Sequence, residues 1–171
     1  SSTPIWTYDT GGNVNDVDIS IDGKYIVAGS GDNKLYVFNN QNNTPLWIYE
    51  ADDSIGPVSI SPDGKYIAMG TSTHDEYVYF FSIENSTPIW SYNADGRAAS
   101  IDISSNGEKV VIGCYTTNKV ILLGKHNNTP IWTFSTSSDV EAVQITFDGK
   151  YLAVGTTSKV YFFDTSSSSA L

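Results

Sequence analysis

The chain has 171 residues, 40% hydrophobic and 13% aromatic, which is enough apolar mass for a packed core and too much for a disordered chain. A formal net charge of −10 with a single arginine, Arg97, argues against nucleic acid and anionic membrane surfaces, because phosphate recognition needs Lys and Arg. One cysteine, Cys114, leaves no internal disulfide or zinc-thiolate cluster, and no apolar run approaches the ~18 residues of a membrane span.

In chain order, the first predicted element is a short strand at residues 5–8, carrying Trp6 and Tyr8 on one face and Ile5 on the other. It returns at 46–49, 89–92 and 131–134, each time after Thr-Pro. The four tryptophans of the chain, Trp6, Trp47, Trp90 and Trp132, all sit in this slot, at steps of 41, 43 and 42 residues. The second element, 14–20, has copies at 55–61, 98–104 and 140–146. A turn follows at Asp22-Gly23, Asp63-Gly64, Asn106-Gly107 and Asp148-Gly149, always 16 residues after the Trp. Gly supplies positive φ there, and Asp or Asn bonds its own turn.

The third element spans 25–29, with copies at 66–70, 109–113 and 151–155. The fourth spans 35–38, with copies at 77–81, 120–123 and 160–163. Both are apolar on consecutive residues, so both faces must be covered. Four strands in a unit of about 42 residues, repeated in tandem, read as propeller blades, in which each sheet lies between two neighbours. We therefore expect an all-β β-propeller forming one domain over residues 1–171, with repeats at 3–43, 44–86, 87–128 and 129–168. Length varies only in the hairpin between the third and fourth elements, residues 30–34 and their equivalents, and variable loop tips on a rigid scaffold are where binding surfaces sit.

Residues 59–71, SISPDGKYIAMGT, resemble the second and third strands of a WD repeat, and residues 38–49, FNNQNNTPLWIY, resemble the Trp-bearing outer strand of quinoprotein-type (PQQ-like) blades. The Trp-Asp end of a WD strand is replaced by Phe38-Asn39, Phe81-Ser82, Leu123-Gly124 and Phe163-Asp164, and the Gly-His pair is absent, so the hydrogen-bond network of those residues does not carry over. In WD-type propellers the first outer strand completes the last blade, which by resemblance places residues 2–8 beside 160–163. Two rings satisfy this: four blades closed within one chain, or eight blades from two chains in a homodimer. A segment of a longer array is a third reading, since the tail at 167–171 falls where the next Asn-Asn-Thr-Pro-Leu would begin.

By the same resemblance, the loops after the Trp strands and the variable hairpins share one face. That face is expected to gather Asp32, Asp52, Asp53, His74, Asp75, Glu76, Asp95 and Asp139, a candidate partner-binding rim with Lys34, Arg97, Lys119 and Lys159 among them. Asp18 and Asp102 share a slot flanked by apolar residues and are expected to bond backbone N–H groups; Ser59 and Gln144 hold that slot in the other units. Asn15 and Glu141 share a slot that points to the central channel, with Gly56 and Ala99 in the other two copies, too few donors for a four-ligand metal site. His74 and His126 fall in loops of different units and no Gly-x-Ser-x-Gly turn exists, so nucleophilic catalysis lacks its parts. The Asn-x-Thr segments at Asn42, Asn85 and Asn127 offer either turn chemistry or glycan acceptors.

The expected function is a non-enzymatic interaction scaffold or structural module of a larger protein, secreted or on a prokaryotic cell surface, with protein partners, no cofactor and no metal. The alternative is a ligand- or metal-binding propeller with hydrolase or lyase chemistry in its channel. The four tryptophans are assigned to packing between blades.

Overall fold

The computed structural model describes residues 2–72 and 75–170. Fifteen strands form four consecutive antiparallel sheets. The first holds β1 (Val14–Ile19), β2 (Tyr25–Ser30), β3 (Lys34–Asn39) and β4 (Trp47–Glu50). The second holds β5 (Ile55–Ile60), β6 (Tyr66–Thr71), β7 (Tyr77–Ser82) and β8 (Pro88–Asn93). The third holds β9 (Ala98–Ile103), β10 (Lys109–Cys114), β11 (Lys119–Gly124) and β12 (Pro130–Ser135). The fourth has three strands, β13 (Val140–Ile145), β14 (Tyr151–Thr156) and β15 (Val160–Asp164). Every sheet is a meander in chain order, and the Trp strand that opens each later repeat is the outer strand of the sheet before it.

The turn between the first two strands of each sheet is built four times from the same atoms. In the first, the Ser20 hydroxyl donates to Asp22 Oδ1 at 2.6 Å and accepts from the Tyr25 amide, Asp22 Oδ1 also accepts from the Lys24 amide, and Gly23 takes φ 69°. Ser61, Ser104 and Thr146 play the part of Ser20 in the other sheets. Gly64, Gly107 and Gly149 take φ between 70° and 73°. An L side chain is strained at that φ, so the invariant Gly is a backbone requirement.

The sheets are held together by apolar side chains from consecutive units. Val27, Leu35 and Val37 of the first sheet pack on Ile55, Val58 and Met69 of the second, and the same interface recurs between the second and third and the third and fourth. The strand-three glycines let the sheets approach. A Cβ on Gly29 would lie 2.8 Å from Ile55 Cγ2, and one on Gly113 would lie 2.6 Å from Val140 Cγ1. Each outer-strand Trp reaches over to the next sheet. The Nε1–H of Trp47, Trp90 and Trp132 donates to the carbonyls of Ile83, Lys125 and Thr165 at 2.8, 3.1 and 2.9 Å.

The inner strands β1, β5, β9 and β13 pack in succession, but β13 does not pack back on β1 in the same way, so the four sheets form an open arc. Val17 of β1 is 60% exposed, while Val58, Ile101 and Val143 in its slot are buried. At the other end Val160 is 82% exposed, while Leu35, Val78 and Val120 in its slot are fully buried. Residues 2–8 do not join β15 within the chain, and among the described residues the fourth sheet has no outer strand apart from a single bridge between Phe163 and Ala170. They lie instead where the outer strand of a preceding sheet would lie, with Trp6 Nε1 donating to the Asn40 carbonyl at 3.2 Å.

Candidate functional site

Two kinds of rim close the ends of the sheets. One carries the four Asp-Gly or Asn-Gly turns. The other carries the hairpins between the second and third strands and the connectors that run from outer to inner strand. Backbone bonds zip hairpin and connector together: Gly31 N to Asn13 O, Ser72 N to Ser54 O, Tyr115 N to Arg97 O and Thr157 N to Asp139 O. The non-Gly residues with positive φ, Asn33, Glu76, Asp95 and Asn118, all lie on this hairpin rim. Positive φ is unfavourable for an L residue and persists where surrounding bonds fix it.

The structure uses the acidic residues of this rim in different ways. Asp32 Oδ2 accepts from the Tyr36 hydroxyl at 2.6 Å and from the Gly11 amide at 2.8 Å. Burial works to raise its pKa, but the Tyr36 and Ser30 bonds, together with the Gly11 amide, outweigh burial and hold the carboxyl below its ordinary value. Burial, with Asp32 beside it, pushes the Tyr36 hydroxyl up to about 12. Asp75 repeats the arrangement in the second sheet, 3.3 Å from the Tyr79 hydroxyl. Both carboxylates therefore brace their own hairpin. Asp53 Oδ1 caps the Ser54 amide at 2.7 Å. Asp52 and Asp95 are exposed, Asp95 with Lys119 Nζ 3.1 Å away. Glu76 and Asp139 are half-buried, and their carbonyls accept from Ala94 and Thr157. His74 lies outside the described residues.

A cleft of about 550 Å³ opens on the inner side of this rim, lined by Asn15, Asp16, Ser54, Gly56, Pro57, Ser72, Arg97 and Ala99. It forms where the inner strands bulge. Register slips between Val14 and Asp16, Ile55 and Val58, Ala98 and Ser100, and Val140 and Ala142 leave Asn15, Gly56-Pro57, Ala99 and Glu141 unpaired, which re-aims those residues away from the sheet. Asn15 Nδ2 is held by the Ile55 carbonyl at 2.7 Å and by Ser54 Oγ at 3.2 Å. The Asn15 and Glu141 slot is thus a bulge position, a feature without a sequence signal of its own.

Sequence reasoning overlooked Asp16 and the place of Arg97 in this cleft. Asp16 accepts from the Val17 amide and, across the interface, from the Val58 amide, both at 2.9 Å. Asp18 bridges Ile19 N at 2.7 Å and Ile60 N at 2.8 Å, and Asp102 bridges Ile103 N at 2.9 Å and Ile145 N at 2.8 Å. These carboxylates clamp one sheet to the next. Burial raises the pKa of Asp102 in spite of its two amide donors.

Among the described residues no three His, Cys, Asp or Glu side chains are grouped to hold a metal ion. His126 Nε2 sits 3.9 Å from Glu108 Oε2. Cys114 is fully buried, and burial pushes its thiol up to about 12. The Asn-x-Thr asparagines are engaged in turns: Asn42, Asn85 and Asn127 Oδ1 accept from Thr44, Thr87 and Thr129 amides at 2.8, 2.9 and 3.0 Å.

All-β units of this length, stacked face to face with their inner strands packed in succession, define a β-propeller array. Residues 2–39 match the WD40 family, described as WD domain, G-beta repeat. Over 88% of its length the chain is similar, with a TM-score of 0.76 and 15% identity, to a chain of a solved structure described as "Crystal Structure of Mitotic Checkpoint Complex". It covers 50% of that chain, so it spans half the length of the chain it matches. No curated protein matches it.

Proposed function

We propose that this chain is a non-catalytic propeller module that works as a scaffold for protein partners within a larger protein on a prokaryotic cell surface. The observation that carries it is the contrast of rims: one is four copies of a single turn, whereas the other concentrates every length change and, among the described residues, every non-Gly positive φ, with Asp52 and Asp95 presented at its edge. Rigid, varied, charged loop tips suit recognition of a protein surface, and the charges favour a basic one. Two copies completing an eight-bladed ring belong to the same proposal, supported by the open arc.

The test is a comparison of proteins retained from source-cell extract by the chain and by an Asp52→Lys/Asp95→Lys variant. We expect a defined partner on the first and its loss on the second. Equal retention by both would remove the acidic rim from the proposal.

A further inference from the structure

The chain buries the same interface three times and leaves both of its halves open at the ends of the arc. We propose that a second copy of this chain docks across these ends, with residues 2–8 of one copy added to β15 of the other as the missing fourth strand. This rests on the proposed pairing of two copies and supplies its contacts and register.

Three independent features fit a second copy. The first is Gly155. Its counterparts Gly29, Gly70 and Gly113 each stand where a Cβ would press within 2.9 Å of the next sheet's inner strand. At Gly155 the nearest atom is Ala142 Cβ at 3.9 Å, so nothing in the chain requires glycine there. Val14 and Val17 are the exposed residues in the slots of Val140 and Val143, the two that crowd Gly113. Docked on the fourth sheet, the first sheet of another copy would supply the neighbour that Gly155 is shaped for.

The second feature is residues 2–8, which already hold an outer strand's position without a sheet to belong to. The Trp6 ring lies 5.3 Å from Phe38, tilted against it, and Tyr8 lies 5.1 Å from Phe38, against 5.7 and 5.0 Å for Trp47 and Tyr49 on Phe81. Asn43 Nδ2 donates to the Thr7 carbonyl at 2.8 Å, as Asn128 Nδ2 donates to the Ser91 carbonyl at 3.0 Å.

The third is the register. Trp47, Trp90 and Trp132 pair with Val37, Phe80 and Leu122, whose slot in β15 is Phe162. Carrying the register over sets Trp6 opposite Phe162, Tyr8 opposite Val160 and Asp9 opposite Lys159, just as Lys34 stands opposite Glu50. Opposite charges on facing strands favour the pairing. A head-to-tail contact of this kind closes into a ring when the rotation fits and otherwise grows into a filament.

Light scattering on the 171-residue chain is expected to read twice 18.6 kDa. Gly155→Val is expected to keep the native circular dichroism while dropping the mass to 18.6 kDa. Oxidised Asp9→Cys/Lys159→Cys is expected to run as a covalent pair, with buried Cys114 silent. A chain that stays at 18.6 kDa at high concentration, an internal cross-link in a single chain, or a ladder of larger masses would each overturn the proposal. So would a pair indifferent to Gly155→Val. Partner retention is read separately with Asp52→Lys/Asp95→Lys, so an unpaired chain that still binds its partner sinks this pairing and leaves the scaffold standing.

Discussion

Phe80 and Phe162 occupy the same slot in the second and fourth sheets, yet Phe80 is fully buried and Phe162 is 46% exposed. Their own sheets treat them alike: Phe80 stacks on Tyr66 at 5.5 Å and Phe162 on Tyr151 at 5.3 Å. The difference is the neighbour, since Phe80 lies in the interface with the third sheet and Phe162 has no following sheet. A unit of this array therefore encodes only half of each interface it needs. Its apolar surface becomes core only when another unit covers it, as in other repeat architectures.

That contrast can be broken or sharpened by matched substitutions. The largest effect should come from Phe80→Ala, which removes a fully buried ring and should lower stability by about 3–5 kcal/mol in denaturant titration. Phe162→Ala, measured at concentrations where chains stay apart, should lower it by only about 1–2 kcal/mol, because half the ring is already wet. Equal losses would mean that the slot is buried by its own sheet, against the exposures seen.

A middle-sized effect is expected at the clamp slot. Asp18→Ala leaves the Ile19 and Ile60 amides without their acceptor and should lower stability by about 1–3 kcal/mol. Gln144→Ala, in the same slot of the last sheet, is exposed and should change the isolated chain by less than about 0.5 kcal/mol. A comparable loss from both would show that the clamp acts within a sheet and not between sheets.

The smallest effect is the pH dependence of two carboxylates with opposite settings. Burial raises the pKa of Asp102 at an interior interface, so its contribution is fully present below the unfolded value near 3.8 and is lost as pH rises through the folded value. Asp32 on the rim is depressed, so its contribution is present above 3.8 and is lost as pH falls through the lower folded value. Melting curves from pH 3 to 7 should show wild type losing ground to Asp102→Asn as pH rises and gaining ground on Asp32→Asn. Parallel pH profiles for the two variants would contradict the assigned environments.

The strands, their order and the turns were legible in the sequence because each is written four times in register, so a weak local signal is repeated until it is strong. The role of Asp18 and Asp102 was legible too, since a carboxylate between apolar strand residues has to find amide donors. The open arc was not, because whether β1 meets β13 depends on the angle between successive sheets, which no residue pattern states. The bulges at Asn15 and Glu141 were equally silent. On the rim, sequence reasoning grouped eight acidic and histidine positions by loop, but it did not separate those that serve the fold. A signal was present: Asp32 and Asp75 each precede a Tyr by four residues, and across a hairpin that spacing puts the hydroxyl on the carboxylate. Asp52 and Asp95 have no such tyrosine.

Cys114 turns the third sheet into a timer. The fully buried thiol, with its pKa near 12, does not react while that sheet is closed. Alkylation then proceeds only through openings that expose it, and the labelling rate in native buffer reads the free energy of those openings at one known place. A blade flanked on both sides thus carries its own clock, against which loosening that begins at either end of the arc can be measured without adding a probe.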